Sequence, residues 1–529
     1  MTDELDLTGQ TIPRLVEAAA ARFDGRIAID DDGVRFTFTE LAEACDRAAR
    51  AFIAAGIESA DRVALWAPNI HEWIIAAVGL QSAGGVLVPL NTRLKGAEAG
   101  YILRKSGARI LCTVGEFLGA SYVDMLRDEE LPALRQTILL RGWHADGNAW
   151  DAFLESGKAV SQKDSQSRRA AGRAEDPSDI LFTSGTTGKP KGVMTCHGQN
   201  LRAFEVWSRL VGLREGDRYL IINPFFHSFG YKAGWVAAIM RGATILPQQI
   251  FDVPAVLERI GKERVSVIPG PPTLYQSLLA HPERAKYDLS CLRLAVTGAA
   301  VVPVELVRRM RDELSFETVL TAYGLTETCG LATMCRVGDD APTIATTSGR
   351  AIPGVEVSCV DGAGNEMPRG EPGEVVVRGY NVMQGYFEDP EATAETIDAQ
   401  GWLHTGDIGV MDEAGNLRIT DRIKDMFIMG GFNCYPAEIE SLMFAHDDIA
   451  QVAVIGIADE RMGEVGMAFV VPKPGRRPTP ESVIAWCREH MANYKVPRRI
   501  EVVDALPMNA MGKVTKFVLR EKALGTKQS

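Results

Sequence analysis

No two of the nine cysteines are spaced as C-x-x-C, and they are odd in number and scattered. A disulfide framework or a zinc site is therefore not indicated, and reduced cytoplasm is the expected compartment. No run of eighteen uninterrupted apolar residues occurs, so a membrane-spanning helix is not expected. The opening stretch, MTDELDLTGQ, is acidic and lacks the basic and apolar regions of a secretory signal. Basic charge is in deficit too: 57 Lys and Arg against 69 Asp and Glu leave a net charge of −12, the wrong sign for a nucleic-acid partner. What is present is a globular composition, 46% hydrophobic and 24% charged, over 529 residues. That length is too great for one ordinary core and implies at least two domains.

The most informative stretch is Asp179 to His197, DILFTSGTTGKPKGVMTCH. Between two short apolar runs it gathers Thr183, Ser184, Gly185, Thr186, Thr187, Gly188, Lys189, Lys191 and Gly192. Glycine lets backbone N–H groups converge on an anion, hydroxyls add neutral donors and lysine adds a point charge, so the loop suits phosphate. It is not a Walker A loop. Five residues after Gly185 comes Pro190, followed by Lys191 and Gly192. Proline removes a donor and disfavours helix just before it, so the loop is expected to return into a strand, Gly192 to Cys196, rather than open a helix.

Around this loop the chain alternates helix and strand. Ile12, Leu15, Val16, Ala19 and Phe23 share a helical face, and Arg26 to Asp30 with Val34 to Phe38 reads as a hairpin about Asp32 and Gly33. Thr39 is placed to cap a helix ending at Gly56, and Val63 to Trp66 reads as a buried strand. Helix and strand pairs follow at Glu72 to Val88 and Ala97 to Cys112, then strands at Tyr219–Ile222, Ala243–Leu246, Val265–Ile268, Leu292–Val296 and Thr318–Leu320. Such alternation implies a mainly parallel sheet with helices on its faces. Residues 158–178, polar and charged, read as an exposed connector. His227, Gly270, Gly298, Ala299, Tyr323 and Glu327 all follow strands and are expected to converge at the carboxyl edge. From Gly354 the pattern changes to hairpins, as in a small barrel-like sheet. DRIKD, Asp421 to Asp425, is a charged break before a last α+β unit. The expected organisation is α/β: a large N-terminal domain at 1–421 with parallel-type sheets and a small β-barrel-like part, a hinge at 422–425, and a small mobile α+β domain at 426–529.

The ordered string T-S-G-T-T-G-x-P-K-G resembles the signature loop of the adenylate-forming superfamily, which includes acyl-CoA synthetases. The resemblance covers nearly the whole chain and recurs at Ala322 to Glu327, Gly401 to Asp407, Asp421 to Asn433 and Pro507 to Arg520. It implies a reaction that joins a carboxylate to the α-phosphate of ATP, releases pyrophosphate and passes the acyl group to a thiol, with ATP, Mg²⁺ and coenzyme A as the implied cofactors. By the same resemblance Thr183 to Gly188 with Lys191 would cradle the phosphates, Lys513 would bridge acyl carboxylate and α-phosphate, and Thr326 would touch the α-phosphate. Glu327, with Thr183, would hold Mg²⁺, while Tyr323 would stack on adenine beside Gly298, Ala299 and Gly324. Asp407 would take the ribose hydroxyls with help from Arg422, Lys424 would mark the pivot, and Gly430 and Gly431 would line the thiol tunnel. Cys434, inside that last motif, reads as a buried structural cysteine.

His227 in PFFHSFG matches the position beside the carboxylate pocket; Phe226 and Phe229 would line the acyl site or simply pack, and Lys232 could meet a polar group on the substrate. The combination PFFHSFGYKAGW with GGFNCYPAEIE resembles bacterial HIP-CoA ligases, which activate the bicyclic propanoate left after steroid A/B-ring removal. Medium-chain fatty or aryl acids, and a carrier protein as thiol acceptor, stay open. A carrier domain is not expected within this chain. A kinase-like NTPase would yield ADP instead of AMP and pyrophosphate, and a silent adenylate-binding protein would not need Lys513, Glu327 and Asp407. Oligomeric state is unreadable from the sequence, a homodimer being one possibility.

Overall fold

The computed structural model describes residues 9–183, 190–298, 302–422, 425–429, 432–459, 461–491, 493–508 and 514–525. They form two compact units, Met1–Val357 with Val377–Leu403, and Ser358–Val376 with His404–Ser529. This division reflects packing; the pivot expected at 422–425 concerns motion and remains a proposal.

In the first unit the helix Ile12–Arg22 starts where the Thr11 hydroxyl accepts from Arg14 N at 3.4 Å, and its apolar face is buried as its spacing predicts. Strands Ile27–Asp31 and Val34–Thr37 form the expected hairpin, with Asp32 and Gly33 at positive φ. The next helix, Phe38–Ala54, begins two residues earlier than expected. Thr37 and Glu40 form a capping box, and Thr39 donates to Asp24 instead.

The largest sheet has eight strands in the order Gly385–Tyr386, Lys191–Cys196, Pro177–Thr183, Val86–Pro89, Arg62–Trp66, Ile110–Val114, Gln136–Arg141, Asn148–Ala149. It is parallel from Pro177–Thr183 outward and antiparallel at the Gly385 edge. The parallel crossovers run through helices such as His71–Ser82, all but one of whose residues are buried. A second sheet orders Arg218–Ile221, Thr244–Pro247, Ile27–Asp31 and Val34–Thr37. Val265–Ile268 is not a full strand: Val267 alone bridges Tyr219 on one side and Leu294 on the other. That bridge links the second sheet to strands Leu294–Gly298 and Thr318–Tyr323, which pair in parallel with Gly298 opposite Ala322.

The connector at 158–178 is largely exposed, as expected, but it is not a loop. It contains the helix Gln162–Ala171, capped by Ser161. Ser165 is fully buried and donates to Asp46 at 2.7 Å, and Arg169 lies between Glu17 and Asp46 at 2.5 and 3.2 Å. Its charges looked solvated because their partners sit on helices more than a hundred residues away.

The second unit carries most of a four-stranded sheet ordered Val355–Val360, Pro372–Gly379, Leu403–Met411, Leu417–Arg422. It also has a five-stranded sheet in which Ile449–Asp459 and Gly463–Pro472 pair antiparallel along their length. Helices Pro436–Met443, Pro480–His490 and Lys516–Gly525 complete it, over a core that includes Phe427, Ile439, Met443, Val454 and Val470. Among the described residues, no helix is long and apolar enough to cross a membrane.

Candidate active site

The first unit sets its key residues at the carboxyl edge of its strands, in the order Asn223, Val267 to Gly270, Gly298 and Tyr323. Asn223 Nδ2 donates to Pro269 O at 3.0 Å, and Gly270 N to Val296 O at 2.9 Å. Four of the six positions expected to converge (Gly270, Gly298, Tyr323 and Glu327) follow strands or bridges that are neighbours in this layer. His227 joins them through a close approach of its own turn. It precedes a single helical turn, Ser228–Gly230, where its Nδ1 accepts from Phe229 N at 3.2 Å. A Cβ on Gly330, which has φ +97°, would stand 2.9 Å from Ser228 Cβ. Only glycine lets the turn after Glu327 lie this close to the His227 turn. Ala299 lies outside the described residues.

The strand after Pro190 forms as expected. Lys191–Cys196 pairs antiparallel with Pro177–Thr183, placing Thr183 opposite Lys191, and the Tyr101 hydroxyl donates to Pro190 O at 3.2 Å. Ser184, Gly185, Thr186, Thr187, Gly188 and Lys189 lie outside the described residues. At the sheet edge Tyr386 pairs with Val193, so its ring is a diagonal neighbour of Lys191, whose Nζ lies 5.0 Å from the ring centroid. The Tyr386 hydroxyl donates to Glu327 Oε1 at 3.0 Å. Burial, reinforced by the Glu327 charge, pushes the Tyr386 phenol well above its usual range, so it stays a donor. Glu327 itself sits in a 3₁₀ turn, Thr326–Thr328, with its carbonyl accepting from Met383 N at 2.8 Å. Lys191 and Glu327, 136 positions apart by their numbering, are thus joined by one phenol. Sequence reading missed Tyr386, whose only signal was a Gly-Tyr pair after the hairpin strands. Gly324 packs so tightly on Gly330 that a Cβ there would lie 2.4 Å from its backbone.

Lys232 does not face a substrate. It is fully buried in a π-helical turn, Tyr231–Val236, and its Nζ donates to Thr195 Oγ1 at 2.9 Å and Asp179 Oδ1 at 3.1 Å. Asp179, also fully buried, accepts in addition from Thr195, Ser178 and Asn200. Asp179 and Thr195 lie on the two strands, Pro177–Thr183 and Lys191–Cys196, that flank the expected phosphate loop. Removing one partner strands the other charge, so Lys232→Met is expected to cost about 3–5 kcal/mol of stability in urea unfolding while leaving acid preference unchanged. Asp31, His71 and Glu72 also cluster within 4.8 Å, but Arg141 already bonds both carboxylates, so this is an ion-pair network.

In the second unit Asp407 is buried and lies opposite Arg422 in the antiparallel pair Leu403–Met411 with Leu417–Arg422. The turn before it is held by Thr405, which donates to Val375 O at 2.7 Å, and by Glu374, which accepts from Gly406 N at 3.2 Å. Cys434 is buried, as expected, with its thiol pushed up chiefly by burial and donating to Tyr494 O. The Arg422 side chain, Lys424, Gly430, Gly431 and Lys513 lie outside the described residues.

A family model described as AMP-binding enzyme matches residues 16–387, and one described as AMP-binding enzyme C-terminal domain matches residues 438–513. A 3-[(3aS,4S,7aS)-7a-methyl-1,5-dioxo-octahydro-1H-inden-4-yl]propanoyl:CoA ligase from Mycobacterium tuberculosis is 51% identical, with 97% of this chain and 99% of the relative covered. A Rhodococcus jostii ligase of the same name is 48% identical, over 97% of this chain and 98% of the relative. Among solved structures, an anthranilate CoA ligase in complex with anthranoyl-AMP superposes with a TM-score of 0.86 at 27% identity, covering 99% of each chain.

Proposed function

The chain belongs to the AMP-binding enzyme family, and from that premise we propose that it is an ATP-dependent carboxylic acid:CoA ligase acting on a bicyclic, ring-fused propanoate. In the first half-reaction an acyl carboxylate oxygen attacks the α-phosphorus of ATP and pyrophosphate leaves. In the second, a thiolate attacks the acyl carbon and AMP leaves. Both partners of the first step are anions, so cations and aligned donors must offset their repulsion. The observation that carries this reading is the Lys191–Tyr386–Glu327 arrangement, which sets a cation and a carboxylate at the edge of the strands that flank the phosphate loop.

The role assignments are those the family resemblance implies. Thr183, Lys191 and the loop from Ser184 to Gly188 hold the β- and γ-phosphates, Thr326 contacts the α-phosphate, and Lys513 draws carboxylate and phosphate together. Tyr323, together with Gly298, Ala299 and Gly324, receives adenine; Asp407 with Arg422 takes the ribose; His227 borders the acyl carboxylate. The Glu327 carboxylate and Thr183 hydroxyl are hard oxygen donors that fit Mg²⁺. Tyr386 occupies one Glu327 oxygen and so fixes the direction of the carboxylate. Mg²⁺, when bound, offsets phosphate charge. For the second half-reaction Lys424 serves as pivot and Gly430 and Gly431 border the path of the thiol. Gly431→Leu is then expected to block thioester formation while pyrophosphate exchange persists; a loss of both removes the tunnel assignment.

The substrate assignment rests on the names of the Mycobacterium tuberculosis and Rhodococcus jostii relatives and on the PFFHSFGYKAGW resemblance. The bicyclic dioxo propanoate is what remains of a steroid once its A and B rings are gone. A panel of such propanoates, straight-chain acids and aryl acids, each with ATP and coenzyme A, tests it. The bicyclic acids are expected to show the highest kcat/KM, with AMP and pyrophosphate as co-products. Equal or better turnover of octanoate or benzoate would remove the substrate assignment but leave the ligase chemistry.

A further inference from the structure

Thr183, Lys191 and Tyr386 come from three adjacent strands of the eight-stranded sheet, and the register sets them on one face. Thr183 stands directly opposite Lys191, and Tyr386 directly opposite Val193, two residues on from Lys191. Side chains paired in this way point to the same side, as do residues two apart on one strand. The Tyr386 ring is buried with Val193, Met383 and Leu403, so the apolar core holds it in place independently of its polar contacts. From there it meets two opposite charges. Lys191 Nζ lies 5.0 Å from the ring centroid, and Glu327 Oε1 accepts from the hydroxyl at 3.0 Å. Both charged residues are half-buried, yet among the described residues neither forms an ion pair. An ammonium and a carboxylate so placed attract each other, the more so where water is partly excluded. The π-face gives the ammonium a partner and the hydroxyl gives the carboxylate one, so neither has to take the other.

We propose that Tyr386 is a positioning residue that acts as a spacer: it keeps Lys191 and Glu327 from pairing before nucleotide binds, leaving the ammonium for phosphate and the carboxylate for Mg²⁺. This rests on the phosphate role proposed for Lys191 and goes beyond the direction of the Glu327 carboxylate, because the same phenol keeps the cation available. An ammonium lying on a ring is easily given up to a phosphate, whereas one paired with a carboxylate must first be released. If the pair closed, the apparent affinity for ATP would fall with the fraction of molecules in which it is open.

Equilibrium dialysis of ATP in EDTA reads the cation alone, without metal or turnover. Tyr386→Phe fills the same place in the core and keeps the ring beside Lys191, so its thermal midpoint is expected to stay close to that of the wild type. It releases Glu327, which is then expected to capture Lys191 and lower metal-free ATP affinity about tenfold. In a Glu327→Gln background the same Tyr386→Phe change is expected to alter affinity by less than about twofold, since no carboxylate is left to hold the ammonium. A nucleotide-free crystal structure of Tyr386→Phe is expected to show Lys191 Nζ within about 4 Å of a Glu327 oxygen. Unchanged metal-free affinity in Tyr386→Phe, or a crystal structure with the two charges still apart, would overturn the spacer and leave the phenol only to orient Glu327. A tenfold loss that persists in the Glu327→Gln background would overturn it as well, because the phenol would then serve ATP without any ion pair to prevent. Lys191→Ala checks the premise separately. If that variant binds metal-free ATP as the wild type does, Lys191 does not meet phosphate, and the reading of the site fails together with the spacer.

Discussion

Lys513→Ala is expected to lower ATP–pyrophosphate exchange by on the order of a thousandfold, while thioester formation from a supplied acyl-adenylate continues near the wild-type rate. The reason is electrostatic. Two anionic groups must come within bonding distance, and an ammonium group contacting both at once stabilises the crowded arrangement more than either reactant alone. Once the mixed anhydride exists, the acyl carbon is already activated and AMP is the leaving group. A bridging cation then has no comparable task. Pyrophosphate exchange and single-turnover thioester formation separate the two steps. Equal loss in both assays would contradict the role of Lys513 and show that the residue serves the fold or the nucleotide generally.

The second large effect is expected at Glu327. Glu327→Gln preserves volume and leaves an amide oxygen to accept from the Tyr386 hydroxyl, so the 3₁₀ turn and the sheet edge should persist. What is lost, on the proposed role, is one negative charge facing the phosphates. A hard divalent cation is held by carboxylate far better than by amide oxygen. Exchange is therefore expected to fall on the order of a hundredfold or more, with the Mg²⁺ concentration for half-maximal rate shifted upward and part of the loss recovered at high Mg²⁺. A variant that lost activity with an unchanged Mg²⁺ dependence would assign Glu327 to shaping the turn and leave the metal to other oxygens. A variant of undiminished activity would remove Glu327 from the site altogether.

Local patterns in the chain were readable where the forces that set them are local. The burial of Ile12, Leu15, Val16 and Ala19 follows from helical spacing, and the hairpin about Asp32 and Gly33 from two residues that tolerate positive φ. The return of the phosphate loop into the strand Lys191–Cys196 follows from Pro190, which lacks a donor and resists helix before it. The placement of Gly270, Gly298, Tyr323 and Glu327 at one edge follows from the rule that parallel strands deliver their carboxyl ends together.

Legibility ended where an interaction joins residues far apart. Arg169 and Ser165 turned a polar stretch into a docked helix through Glu17 and Asp46. Lys232, conspicuous in an apolar run, suggests a contact with the substrate only because its partner Asp179 lies 53 positions earlier by number; buried and paired, it belongs to the scaffold. Tyr386 went unnoticed for the same reason. Nothing in its neighbours indicates that its ring will lie beside Lys191 or its hydroxyl against Glu327.

The most direct test is a crystal structure with an unreactive sulfamoyl mimic of the acyl-adenylate carrying the bicyclic propanoyl group. Its sulfamoyl group, which stands in for the α-phosphate, is expected beside Thr326 and Glu327, its adenine at Tyr323 and its rings behind His227. A mimic bound away from the Lys191–Tyr386–Glu327 edge would contradict it.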